Sequence, residues 1–177
     1  MNGQLALKGC EIMALYFGAH MCQRCREFIP VLKQFYDQLK KSPETMPFEI
    51  VFVPFDRSED EFRNSLRDLH DDWLYIPYGS VHINSLAARF NIINWGVIPT
   101  LVVLKEDGTL ITMAGQANVQ HLSASEAMGS ACWVLVCVRL AERGGAGRGR
   151  HFDNHGWTSR CSVFVSIRSN GLLALYS

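Results

Sequence analysis

Apolar positions along the chain fall into runs and spaced repeats that predict an alternating order of strands and helices. Ile12-Met-Ala-Leu-Tyr-Phe17 is an unbroken apolar run ending at Gly18, the pattern of a central strand buried on both faces of a mainly parallel sheet. After a short link, Phe28, Leu32, Phe35, Tyr36 and Leu39 recur at three- and four-residue spacing between charged residues. That spacing predicts an amphipathic helix beginning near Cys22 and kinked at Pro30. Ser42-Pro43 and Pro47 end it.

A second apolar run, Phe48 to Phe55, predicts another buried strand. It leads to Ser58-Glu-Asp-Glu61, where a Ser followed three positions later by Glu reads as a capping box opening a helix. Trp73 to Tyr78 reads as an ordered loop and Val81 to Phe90 as a short helix. Thr100-Leu-Val-Val-Leu104, the Asp107-Gly108 turn and Thr109 to Met113 predict a β-hairpin. A βαβ unit followed by a helix and an antiparallel hairpin is an α/β architecture in the order of a thioredoxin core: a central mixed sheet flanked by helices.

Beyond Val119 the pattern breaks. The sequence becomes rich in Ser, Ala, Gly and Arg, and Gln120 to Met128 is the one weak candidate for a closing helix. The expected organisation is a domain over residues 1–118 and an atypical, poorly ordered tail over 119–177. Charge divides at the same place: residues 1–118 hold 11 Lys and Arg against 14 Asp and Glu, a net of −3, and residues 119–177 hold 6 against 3, a net of +3. The whole chain of 177 residues balances at 17 against 17, which argues against a nucleic-acid or anionic-membrane partner. The Arg-Gly clusters of the tail lack interleaved aromatics, so a linker explains them as well as RNA binding does. No apolar stretch reaches the roughly 20 residues a membrane span needs. The first residues carry no basic region leading into an apolar run, so a cytoplasmic and also nuclear location is expected rather than a secretory one.

Cys22-Gln-Arg-Cys25 is the constellation that carries chemistry. At the start of a helix, Cys22 sits where unpaired N–H groups and the helix dipole favour an anion, and Arg24 and Arg26 add positive charge nearby. Cys25, a turn further on and more deeply placed, is set to attack a mixed disulfide formed at Cys22. A zinc half-site or an inert structural pair are the competing readings. A zinc site needs two further ligands, and Cys132, Cys137, His151, His155 and Cys161 lie scattered in the tail without ligand spacing. No metal and no bound cofactor are therefore expected. His20 reads either as a proton shuttle beside the dithiol or as an exposed loop histidine.

Several segments together resemble the nucleoredoxin and tryparedoxin branch of the thioredoxin superfamily. They are Ala14-Leu-Tyr-Phe-Gly-Ala-His20 with the dithiol and Arg26-Glu-Phe28, then Phe48 to Val53 with Asp56-Arg-Ser-Glu-Asp-Glu-Phe62, Trp73-Leu-Tyr-Ile-Pro77, and Ile98-Pro-Thr-Leu-Val-Val-Leu104. The resemblance covers about residues 6–118. It implies a thiol-disulfide oxidoreductase acting on protein disulfides, with Cys22 and Cys25 catalytic. It also implies a cis Pro99 facing the dithiol, and Ile98, Met21 and Trp73 lining the substrate groove, although Trp73 reads equally as a ring that packs a loop. An electron donor such as thioredoxin, glutathione or a reductase would restore the dithiol. The alternative it allows is a non-enzymatic binding or signalling protein.

Three features depart from that branch. Met21 and Gln23-Arg24 stand where Trp and Pro-Pro are usual; only about ten residues precede the first buried strand, which leaves the sheet short of an edge; and the branch's closing segment, with its aromatic-rich helix, is not recognisable after Ala117. With His20, the substituted Gln23 and Arg24 are expected to retune the site.

Overall fold

A computed structural model of the chain describes residues 12–41, 47–92, 94–105, 107–124, 164–168 and 172–176. Its centre is β1 (Ile12–Gly18), all seven residues of which are buried. Parallel pairing with β2 (Phe48–Pro54) runs along its whole length on one side, and antiparallel pairing with β4 (Thr100–Lys105) runs along the other. β3 (Leu74–Tyr75) adds to β2 in parallel and β5 (Leu110–Thr112) adds to β4 antiparallel, giving the order β3-β2-β1-β4-β5. The expected mixed sheet is present. Trp73 to Tyr78 is not wholly a loop, since Leu74 and Tyr75 form an edge strand.

Alternation along β1 divides the core between the two faces of the sheet. Ile12, Ala14 and Tyr16 pack with Phe28, Leu32, Phe35, Tyr36 and Leu39 of α1 (Gln23–Lys41). Met13, Leu15 and Phe17 pack on the other face with Leu86 of α3 (Val81–Arg89), Phe90 and Ile98. Pro30 lies within α1 on its exposed side. α2 (Glu59–Asn64) opens on Ser58, whose hydroxyl accepts the Glu61 N–H at 3.1 Å. The return contact of the expected capping box goes one residue earlier, from Arg57 N–H to Glu61 Oε2 at 2.9 Å. A π-helical turn, Ser65–Leu69, follows directly.

The closing helix α4 runs over Gly115–Ala124, earlier than the Gln120 to Met128 expected; residues 125–128 of that expectation lie outside the described residues. Gly115 lets the helix approach β4, because a Cβ there would stand 2.6 Å from the Leu101 carbonyl oxygen. Val119 of α4 is fully buried in the α1-side core, so the helix covers this face of the sheet. Most of the expected poorly ordered tail, and the residues before β1, lie outside the described residues. Within the tail, β6 (Phe164–Arg168) and β7 (Leu172–Tyr176) pair as an antiparallel hairpin. Among the described residues no helix is long and apolar enough to cross a membrane.

Candidate functional site: a dithiol at the amino terminus of α1

β1 delivers the chain to the end of the sheet at Gly18, where Phe55 N–H donates to the Gly18 carbonyl at 2.8 Å. A turn over Ala19 to Cys22, closed by Cys22 N–H to Ala19 C=O at 3.2 Å, then starts α1. Cys22 behaves as the helix cap. Its carbonyl accepts the Arg26 N–H at 3.1 Å and its Sγ accepts the Cys25 N–H at 3.3 Å, the position a Ser or Asp oxygen takes in an ordinary N-cap. The sulfur thus faces one of the amides that the helix itself leaves unpaired.

The two cysteines are free thiols and differ in setting. Cys22 keeps 8% of its surface exposed and Cys25 none. Burial pushes the Cys25 thiol up to about 12, and the hydrogen bond with Cys22 adds to the rise. Tyr16, on β1 beneath them, is itself buried and held well above the usual phenol range, first by desolvation and then by Cys25.

Across from the dithiol lies the segment entering β4. The Ile98-Pro99 peptide is cis, both residues are buried, and the Ile98 carbonyl stands 3.9 Å from Cys22 Sγ as its acceptor. Before them, Trp95–Val97 makes a single 3-10 turn capped by Asn94, whose side chain accepts the Gly96 N–H at 2.8 Å. Thr100 Oγ1 donates to the Val97 carbonyl. Cys22, Cys25, Ile98 and Pro99 are therefore brought together. Met21, 56% exposed, stands at the surface beside them.

The remaining expected site residues are placed differently. Arg24 donates to the carbonyls of Gly96 at 3.0 Å and Trp95 at 3.4 Å, tying the start of α1 to the turn before Ile98. Gln23 donates to Glu27 one turn along α1 at 2.9 Å. His20 is half-buried. Its N–H donates to Asp56 at 2.8 Å, its Nε2 lies 3.2 Å from Asp68 Oδ2, and its Nδ1 is buried without a partner among the described residues. Trp73, expected in the groove, is only 4% exposed. Its ring packs edge-on against Tyr16, Tyr36 and His70 in the α1-side core, so it presents no face to a substrate.

Two groups near the site escape sequence reasoning. Asp56, at the end of β2, is buried and accepts from His20 N–H and from Ser65 Oγ at 3.0 Å. Desolvation raises its carboxyl above the usual range, and those hydrogen bonds oppose the rise. A lone buried Asp after a buried strand was the available signal. The second group is a stacked pair, with the Arg57 guanidinium 4.2 Å from the centre of the Trp95 ring. No spacing rule links residues 57 and 95. Among the described residues no cluster of three or more His, Cys, Asp or Glu side chains is arranged to hold a metal.

Comparison with known proteins agrees with this geometry. Over 124 residues the chain is 36% identical to nucleoredoxin from Bos taurus, covering 67% of this chain and 26% of that protein. A crystal structure of thioredoxin from Wuchereria bancrofti superposes with a TM-score of 0.60 at 40% identity, covering 69% of this chain and 84% of that one. Native tryparedoxin I from Crithidia fasciculata gives 0.58 at 30% identity, covering 70% and 81%. The chain spans about a quarter of the length of the nucleoredoxins it matches. The model of the Thioredoxin_8 family, described as thioredoxin-like, matches residues 9–110, more than half of the chain, and the protein belongs to that family.

Proposed function

We propose that this protein is a thiol-disulfide oxidoreductase that reduces disulfides in other proteins. The observation that carries the reading is the asymmetric dithiol: Cys22 at the helix terminus, buried but with 8% of its surface still reaching solvent and its sulfur on the Cys25 amide, and Cys25 wholly buried behind it. Cys22, as thiolate, attacks one sulfur of the substrate disulfide. A bond forms between Cys22 and that sulfur, and the other substrate sulfur leaves and takes a proton. Cys25 then gives up its proton and attacks the Cys22 sulfur, breaking the mixed disulfide. The second substrate thiol departs and Cys22–Cys25 remains oxidised, two electrons having passed to the substrate. A thiol or reductase donor, such as thioredoxin, two molecules of glutathione or a dedicated reductase, returns them.

The burial of Cys25 supports this order of events. A thiol held up to about 12 is a poor competitor for external disulfides, so first attack falls to Cys22. The backbone beside cis Pro99 would receive an extended substrate segment, with Met21 and the Ile98 carbonyl at its edges. Insulin reduction by the wild type, Cys22→Ser and Cys25→Ser tests the assignment. Turnover is expected only in the wild type, and Cys25→Ser should accumulate a covalent adduct visible by mass. Equal turnover in wild type and Cys22→Ser would remove the enzymatic reading in favour of a binding protein.

A further inference from the structure

Two arginines hold the segment that faces the dithiol. Arg24 binds the main-chain carbonyl of Trp95 and Arg57 stacks on its ring, so two guanidinium groups converge on one residue from two directions. Trp95 lies three residues before Ile98, whose carbonyl faces the Cys22 sulfur. Both cations are therefore fixed to the short segment that leads to the carbonyl facing Cys22.

Their donors are not used up. Arg24 spends one of its terminal nitrogens on the two carbonyls. The Arg57 side chain has no acceptor among the described residues; its backbone N–H and C=O serve Glu61 and Tyr78, and its plane lies on the indole. A guanidinium stacked on an aromatic face keeps its edge N–H groups free for a carboxylate. Both arginines are exposed and Trp95 is half-buried. Four acidic side chains of the neighbouring segments are already engaged elsewhere. Glu61 closes the start of α2, Asp56 is buried on His20 and Ser65, Asp68 pairs with Arg67 and His20, and Glu27 accepts from Gln23.

We propose that the Arg24–Trp95–Arg57 cluster selects substrates whose disulfide is flanked by acidic side chains, an extended Glu- or Asp-bearing peptide segment. This rests on the dithiol reading above and names the substrate class for it. Cations on this segment steer and hold carboxylates and repel lysine, an effect carried by kcat/KM and weakened by salt.

The test uses two fluorescence-quenched peptides that differ only in the residues flanking their disulfide, Glu in one and Lys in the other. At low ionic strength the wild type is expected to reduce the Glu peptide with roughly fivefold higher kcat/KM, the size exposed ion pairs supply. That ratio should fall towards one in high salt and in Arg57→Gln. Arg57→Glu should invert it, an outcome that damaged packing would not produce. Equal rates on both peptides, or a Glu preference indifferent to position 57, overturn the proposal while leaving the dithiol function standing. Reduction of neither peptide by a protein that reduces insulin also overturns the proposal; failure on insulin as well refutes the dithiol function, and this inference falls with it.

Discussion

Gly18→Ala is the sharpest test of how β1 seats the dithiol. An added Cβ at this position would stand 2.5 Å from the Tyr16 hydroxyl oxygen and 2.6 Å from its Cζ. Ordinary carbon contacts lie at about 3.5–4.0 Å, so roughly 1 Å of movement is demanded. The Tyr16 ring is enclosed by other rings, with a small cavity lined by Ile29, Phe52 and Trp73 on one side. It is 2% exposed and hemmed by Phe28, Phe52 and Trp73 at centroid distances of 6.1, 5.7 and 6.2 Å. Overpacking of a closed core costs about 1–3 kcal/mol. For a body of about 110 residues that lowers Tm by roughly 4–12 °C, measurable by scanning fluorimetry. Adding Tyr16→Phe to Gly18→Ala deletes the oxygen and leaves the ring carbon, so part of the loss should return. An unchanged Tm in Gly18→Ala, within about 1 °C of wild type, would refute the claim that the ring blocks this space.

Other expectations follow from single contacts. Because the Cys25 thiol is held up to about 12 against an ordinary 9.0, the folded reduced protein keeps a proton that the unfolded chain releases. Its contribution to stability is full below 9.0 and is lost as pH climbs towards about 12. Urea midpoints of reduced wild type and Cys25→Ser should therefore converge with rising pH, and a constant gap would contradict the assignment. In mildly alkaline iodoacetamide Cys22 should be carbamidomethylated well before Cys25, as peptide mass spectrometry would show. For the domain end, we propose that the folding unit closes after α4, since a chain stopped at 118 loses the buried Val119. Circular dichroism of fragments ending at 118 and at 124 distinguishes the two: the longer should melt cooperatively and at higher temperature.

Much of this architecture is legible in the residue pattern because its elements are locally specified. Ile12 to Phe17 and Phe48 to Phe55 are buried on both faces and so read as continuous apolar runs. Ser58 and Glu61 announce α2 through side chains that serve its own first turn. β3 is opaque for the opposite reason: Leu74 and Tyr75 are extended because β2 offers them partners, not because two residues carry a period. α4 begins at a glycine, the worst ordinary helix former, retained because the Leu101 carbonyl leaves no room for a Cβ. The dithiol was visible as a spacing and the cis Pro99 only through resemblance. Trp73 shows the limit of resemblance: a hallmark residue is equally well kept by a core as by a groove. In the sequence Arg24 is a charge near a sulfur, yet its length carries the guanidinium across to Trp95 and Gly96.

The double pairing of β1 sets where the molecule can breathe. A strand with hydrogen-bonded neighbours on both edges along nearly its whole length releases its amides to deuterium only in the rarest openings. The dithiol hangs from the end of that strand. The thiol chemistry proposed for Cys22 and Cys25 would then run beside a backbone that stays closed while it happens.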